Sequence, residues 1–388
     1  MVLEMKVMIM GMDGYLGWPL AMHLTMKGHV VCGIDNLSRR RRVAEIGSWS
    51  ATPIKSPTER LVAFEKEFSK AIGFTFGDLR DVDFTFQVID DFKPDAIVHL
   101  GEIISAPYSM IDVHHCNETM MNNIVSTNNI LYAMHKFVPN CHLVKLGTMG
   151  EYGTPNIDIP EGFFEIEYHG RKDRLPFPRQ AGSWYHQTKV HDTHNIIFAC
   201  KIWELRSTDI MQGVVHGIRT EEMTSDELLT RFDFDEVWGT ALNRFCAQAI
   251  IGHELTPYGK GGQTRGYIAL RDSIQCLTIA IENPPEKGVY RTFNQFDECY
   301  SVIELADHVV KVCDELGTKA NAWHIENPRV EAEEHYYNPD HYELYKLGFR
   351  PTNTLNDELR ITLKELLRWK DRIEAKKNRI LPTVYWKK

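Results

Sequence analysis

The chain has 388 residues, 43% of them hydrophobic and 25% charged, with a formal net charge of −9. That length allows two domains or one large domain with an insert, and the composition is that of an ordinary globular protein. The acidic balance argues against a nucleic-acid partner, which needs a basic surface, and no apolar run is long enough to cross a bilayer as a helix.

Met5 to Met10 reads as a buried strand. Gly11-Met12-Asp13-Gly14-Tyr15-Leu16-Gly17 follows at once, and the apolar run Trp18 to Met26 reads as a helix. A strand, a glycine-rich turn and a helix start are the context a dinucleotide site requires. Gly11 permits the tight turn, Gly14 lets backbone approach a pyrophosphate, and Gly17 lets helix and strand pack closely. Amides at the helix start then face the phosphates. The blander alternative is a glycine turn that holds no ligand. A strand this close to Met1 leaves no room for a cleaved targeting peptide, and a cytoplasmic protein is expected. The eight cysteines are scattered without a C-x-x-C pair, which suits buried thiols in a reducing compartment.

Val30 to Ile34 reads as the next strand, with Asp35-Asn36 at its end. An acid there accepts hydrogen bonds from the adenosine ribose and repels a 2′-phosphate, which favours NAD over NADP. The run Arg39-Arg40-Arg41-Arg42 argues the other way, unless it is a solvated basic loop or meets the pyrophosphate. Ser56 to Ala71 reads as a helix in an insert. Gly77-Asp78-Leu79-Arg80 follows a short strand, and Asp78 either contacts the adenine edge or caps a helix.

Ala96 to Leu100 and His142 to Leu146 read as short buried strands, with helical character from about Asn117 to Phe137 between them. Asn122-Asn123 either order water and backbone at a site or are polar groups on a helix face. The alternation predicts an α/β fold, a parallel sheet with helices on both faces. Pro155 to Pro178 is a Gly/Pro-broken loop that could act as a lid. From about Gly217 the pattern loosens. Gly259 to Gly266 reads as a loop on a strand-rich background, and Ser301 to Leu316 and Asn356 to Lys376 read as helices.

The chemistry centres on Ser183-Trp184-Tyr185-His186-Gln187-Thr188-Lys189. A Tyr and a Lys at i, i+4 share one helix face. A phenol is a poor base at neutral pH, its reference pKa being about 10, and a nearby ammonium is expected to lower it. Thr148 follows the strand ending at Leu146, and a hydroxyl at the C-terminal end of a parallel strand faces the ligand crevice. Thr148, Tyr185 and Lys189 therefore form a candidate set for oxidising an alcohol or sugar hydroxyl. Arg265 and Arg329 either clamp a diphosphate or are surface arginines. His114-His115, His191, His194 and His335 lack the ligand spacing of a zinc site, and no metal is expected.

These motifs resemble the extended short-chain dehydrogenase/reductase family, which includes nucleotide-sugar epimerases and dehydratases. Longer stretches carry a sharper likeness: Gly101-Glu102 with Ser105 to Asp112, Val144 to Ile159, Tyr258 to Tyr267, and Asn327 to Asn338. They resemble a branch of that family that joins sulfite to the sugar of UDP-glucose. The resemblance implies a Rossmann-type doubly wound sheet over residues 1–215 and a smaller nucleotide-sugar-binding domain over 216–388, with some elements returning to the first. It implies a retained NAD, UDP-glucose and sulfite as substrates, and a homodimer packed through helices of the first domain.

By the same resemblance, NAD would meet Gly11, Gly14, Tyr15, Leu16, Gly17, Asp35, Asn36, Arg39, Arg40, Asp78, Leu79, Asn122, Tyr185, Lys189 and Gln212. The sugar would meet Thr148, Gly150, Tyr185, His186 and Gln212. The uridine diphosphate would lie near Thr240, Ala241 and Tyr258, with Arg265 and Arg329 on its phosphates. Relatives carry Gln-Arg where this chain has Ile103-Ile104, which bears on how sulfite is handled. Dehydratases carry Asp-Glu after the site threonine; here Met149 and Gly150 stand there and cannot move protons. His186 is then the candidate for the C5′ proton, with Glu151 second, and Gly150 leaves room for sulfite. The rival readings are a UDP-glucose 4-epimerase and a non-catalytic NAD sensor.

Overall fold

A computed structural model of the chain describes residues 4–176, 179–329, 332 and 334–386. The order begins β1 (Lys6–Met10), α1 (Gly17–Lys27), β2 (Val30–Asp35), α2 (Ser38–Glu45), α3 (Pro57–Phe68), β3 (Gly73–Phe76), α4 (Val82–Phe92) and β4 (Ala96–His99). It continues through α5 (Ala106–Ser109), α6 (Val113–Met120), α7 (Ser126–Phe137), β5 (His142–Leu146), the hairpin β6 (Phe164–Tyr168) and β7 (Arg171–Leu175), and α8 (Trp184–Trp203). The second half holds β8 (Arg206–Gln212), β9 (Val214–His216), α9 (Ala241–Ile250), β10 (Thr264–Ala269), α10 (Leu270–Glu282), β11 (Tyr290–Gln295), β12 (Glu298–Ser301) and α11 (Val302–Glu315). It ends with α12 (Glu343–Lys346), α13 (Leu355–Leu367) and α14 (Lys370–Glu374).

Seven strands form one parallel sheet in the order β11-β8-β5-β4-β1-β2-β3. The strand order reverses between β1 and β4, and that switch point opens a crevice at the C-terminal strand ends. β1 after Lys6, and β5 along its whole length, are buried, as a sheet covered on both faces requires. Apolar side chains from α1 and α10 pack against one face of the sheet, and those from α7 and α8 against the other. β11 returns from the second half to the sheet edge beside β8. A smaller sheet, β12-β10-β9, stands apart, and a separate core joins α9, α11 and α13.

Three expectations are corrected. The stretch from Pro155 to Pro178 is not loop throughout: β6 and β7 pair antiparallel within it, while Phe177 and Pro178 lie outside the described residues. The helical stretch from Asn117 to Phe137 contains a π-turn at Met121–Val125. The helix expected over Asn356 to Lys376 breaks after Leu367 into α13 and α14.

The insert helix α3 starts with a capping box, Ser56 with Glu59, and with Pro57 in its first turn, where the missing amide is harmless. It sends Arg60 onto Asp13 of the glycine turn, beneath which Trp18 lies with its ring 4.5 Å from the guanidinium. Arg40 reaches the same carboxylate at 2.7 Å. Arg60→Met strands a buried aspartate with one partner. The expected loss is about 2 kcal/mol in a chemical denaturation curve, short of a fully broken buried pair because Arg40 remains.

Candidate active site

The switch-point crevice is a cleft of about 320 Å³. Gly11, Gly14, Tyr15, Leu16 and Gly17 line it from the first turn, Asp35, Asn36 and Arg39 from the end of β2 onward, and Asp78 and Leu79 after β3. Asn122, Thr148, Tyr185, Lys189, Gln212 and Thr240 line it from the other side. The π-turn widens the helix at Met121–Val125, and both Asn122 and Asn123 are buried there. Asn122 donates to the Gly101 carbonyl, and Asn123 holds the Ile103 backbone at both its N–H and its C=O.

Arg40 is a correction. It turns away from the cleft to Asp13 and to the carbonyls of Ile54 and Lys55. Arg39 does face the cleft, its guanidinium 3.7 Å from the Trp238 ring centre and its charge met by Asp233 at 2.7 Å.

The residues fit a dinucleotide. A Cβ on Gly11 would lie 2.6 Å from the Leu100 carbonyl carbon, and one on Gly17 would overlap Gly11 and Met12 backbone. Only bare glycines allow this turn. No side chain caps the N-terminus of α1, whereas Ser56, Asp81, Asp112, Ser183, Ser301 and Thr354 each cap their helices. First-turn amides left without a cap and facing a cleft suit a phosphate. Asp35 is fixed by the N–H groups of Asp13 and Leu37. Burial, with Asp13 nearby, pushes its carboxyl up to about 6.

Thr148, Tyr185 and Lys189 meet at the inner end. Thr148 and Tyr185 both line this end of the cleft, and Lys189 Nζ lies 5.9 Å from the Tyr185 ring centre. The lysine does not lower the phenol as the spacing implies. Burial first, and the Glu102 carboxylate second, raise the Tyr185 phenol above its ordinary value. Lys189 is spent on Glu102 and on the Leu146 carbonyl.

The remaining candidates gather beyond this point. His186 packs against Tyr185 with ring centres 4.7 Å apart and planes tilted by 48°, holds the Ser183 hydroxyl through Nδ1, and sits so close over Gly150 that a Cβ there would overlap its ring. Burial, then Arg265 and Arg329, hold its imidazole down to about 3, so it is neutral. Tyr258 accepts from Arg244 at 2.7 Å and has Arg329 5.8 Å from its ring centre. Arg265 donates to the Thr264 carbonyl and meets His335 at 2.7 Å. Ala241 opens α9 directly after the Thr240 cap. Val330, Glu331 and Glu333, within the Asn327 to Asn338 stretch, lie outside the described residues. No cluster of three or more His, Cys, Asp or Glu able to hold a metal occurs among the described residues.

The NAD dependent epimerase/dehydratase family matches residues 7–191. UDP-sulfoquinovose synthase of Sulfolobus acidocaldarius is 51% identical over 385 residues, covering 99% of this chain and 98% of that protein. The chain belongs to the UDP-sulfoquinovose synthase family. The chloroplastic UDP-sulfoquinovose synthase of Spinacia oleracea is likewise 51% identical, over 99% of this chain and 79% of that protein. In fold, the chain is similar to UDP-glucose 4-epimerase of Thermotoga maritima, with a TM-score of 0.70 and 18% identity over 94% of this chain and 99% of that one.

Within this UDP-sulfoquinovose synthase framework, several cleft residues escaped the sequence reading. Glu102, Arg231, Asp233, Trp238 and Asn243 all line the crevice. Lys145 lies beneath it, 1% exposed, on a strand otherwise read as apolar. A charge in the middle of such a strand was the available signal. Ile103 is buried against Tyr108, Val237 and Trp238, while Ile104 lines the cleft and is 47% exposed. No helix among the described residues is long and apolar enough to cross a membrane.

Proposed function

We propose that the protein makes UDP-sulfoquinovose from UDP-glucose and sulfite, with NAD held in the cleft. The observation that carries this is 51% identity to two UDP-sulfoquinovose synthases over nearly the whole chain. Gly11 to Gly17, Asp35, Asn36, Arg39, Asp78, Leu79 and Asn122 would hold the cofactor, which when bound accepts and returns the C4′ hydride. Tyr185, beside Thr148, removes the proton of the 4′-hydroxyl. Lys189, held by Glu102 and the Leu146 carbonyl beside the Tyr185 ring, would meet the nicotinamide ribose. The C4′ ketone acidifies the C5′ hydrogen. Loss of that proton expels the 6′-hydroxyl as water and leaves a conjugated enone. The sulfur of sulfite adds at C6′, C5′ regains a proton, and Tyr185 returns its proton as C4′ is reduced.

Met149 and Gly150 offer no group for the C5′ proton, and His186, packed against Tyr185 and over Gly150, would supply one. Arg265 and Arg329 would bind the diphosphate, with Thr240, Ala241 and Tyr258 toward the uridine and Gln212 toward the sugar and nicotinamide. A bound dianion offsets the two arginines that help hold His186 neutral, so the imidazole becomes a better base with substrate present. His186→Ala is expected to lower turnover about 100-fold and to stop exchange of the C5′ hydrogen into heavy water, followed by NMR. Full turnover in that variant would remove His186 from the mechanism.

Exposed apolar side chains on α7 and α8, namely Tyr132, Phe198 and Ile202, support a homodimer packed through these helices. Sedimentation at two concentrations tests it. Mass spectrometry of the nucleotide-sugar formed from UDP-glucose, NAD and sulfite tests the function. A sulfonated product is expected. UDP-galactose formed whether or not sulfite is present would favour a 4-epimerase, and bound NAD with no conversion would favour a sensor.

A further inference from the structure

Glu102, Lys145, Lys189 and Asp192 form one buried cluster beneath Tyr185. Glu102 comes from the turn after β4, Lys145 from β5, and Lys189 and Asp192 from α8. None of the four side chains is more than 2% exposed. Glu102 takes both ammonium groups on its Oε2. Lys145 also lies 3.3 Å from Asp192 Oδ2, without hydrogen-bond geometry. Glu102 Oε1 and both oxygens of Asp192 receive no donor at all. Yet Glu102 Oε2 and Asp192 Oδ2 lie 2.5 and 3.3 Å from the same Lys145 ammonium, which sets the two carboxyl groups side by side.

Two ionised carboxylates only accept, so they cannot hydrogen-bond; one proton between them turns the repulsion into a bond. That single proton satisfies acceptors on both residues, which would otherwise be buried bare at a cost of several kcal/mol, of the order seen for unpaired buried charges. We infer that Asp192 and Glu102 share one proton in the working protein, and that Asp192 is thereby a positioning residue for Tyr185. With the proton present, two ammonium groups face one carboxylate, and one net positive charge lies under the phenol. Without it the cluster is neutral.

Glu151, after β5, faces Tyr185 and both lysines and opposes this charge, but it does so in either state of the shared proton and leaves the difference between the two states in place. His99 at the end of β4 is held down to about 3, by burial first, and is neutral. Asp209 on β8 acts on Lys145 from the far side. Tyr185 itself is the group that feels the balance. Burial raises Asp192 well above the ordinary carboxyl range, and Lys145, ahead of Lys189, keeps Glu102 on the ionised side. When the proton leaves, Tyr185 loses the charge that favours its phenolate.

The inference rests on Tyr185 being the base, so the deciding measurement uses no turnover. The full-length protein carrying carbon-13-labelled aspartate carboxyls is examined by infrared spectroscopy at about pH 9, well above the reference aspartate pKa of about 3.9. Asp35 and Asp235, held up only to about 6, are silent there. A label-shifted protonated-carboxyl band is expected, and Asp192→Asn is expected to remove it. Its absence from the wild-type protein overturns the inference even if the variant does not fold, as does its persistence in a folded variant. In the wild type the band should titrate with the alkaline limb of kcat. In Asp192→Asn that limb should move up by about one pH unit, tenfold in proton activity, with KM for UDP-glucose within twofold. An unmoved limb overturns the positioning role while leaving Tyr185 as the base.

Discussion

Tyr185→Phe lowers formation of the sulfonated nucleotide-sugar by about 1000-fold, the middle of the range for losing a general base. The variant keeps the ring, which is 8% exposed and packed against His186, and loses only the hydroxyl. The hydroxyl that faces the phenol across the cleft end is that of Thr148, which also caps the turn after β5 by accepting from Gly150 N–H. Thr148 is only half-buried on the cleft wall, where its hydroxyl can turn to water once the phenol is gone, so thermal unfolding should stay within a degree or two of the parent. NAD content after purification and KM for UDP-glucose should also hold, because the cleft is otherwise unchanged. A kcat loss with KM and NAD content intact is the signature of a group used in the transition state. Conversion at the parent rate would end the proposed mechanism.

The glycine turn and Asp35, which line one side of the cleft, were legible in the sequence because that signal is local. Glycine spacing, an apolar strand and an acid at the end of the next strand all lie within a single βαβ unit. The same locality misled at Arg40. Arg39 and Arg40 are neighbours on α2, and successive helix positions point about 100° apart. One therefore meets Trp238 and Asp233, and the other meets Asp13. Nothing in a run of four arginines says which faces the ligand.

The ionisation of Tyr185 was misread for a related reason. Tyr-x-x-x-Lys brings the ammonium into view but not its counter-charge, since Glu102 lies 87 residues before Lys189. Only the fold brings β4, β5 and α8 together. The β6–β7 hairpin was missed although Phe164-Glu165-Ile166-Glu167-Tyr168 alternates apolar and polar as a strand should. Its partner Arg171-Lys172-Asp173-Arg174-Leu175 is polar through its first four residues and shows no such alternation. Its turn was readable: His169 and Gly170 both have positive φ, at 50° and 74°, as a two-residue hairpin turn requires.

Gly11→Ala is the larger structural test, expected to cost about 3 kcal/mol and to abolish NAD retention. Two penalties combine. Gly11 has φ of 92°, outside the region a residue with a Cβ adopts without strain of about 1–3 kcal/mol. Its Cβ would also lie 2.6, 2.7 and 2.8 Å from the Leu100 carbonyl carbon, the Leu100 oxygen and the Gly101 nitrogen. These are backbone atoms at the end of β4, so no side chain can swing aside. Relief must come from separating the glycine turn from the turn after β4, and that opens the floor of the cleft. Gly28→Ala is the control. Its φ of 98° brings the same kind of backbone strain, but nothing lies within 4 Å of its Cβ and it closes α1 at the end away from the cleft. It should lose about 1 kcal/mol and retain NAD. Denaturation midpoints and the nucleotide content of the purified proteins separate the two. If Gly11→Ala kept its cofactor while losing only as much stability as Gly28→Ala, the close approach of the two turns would not be what forms the dinucleotide site.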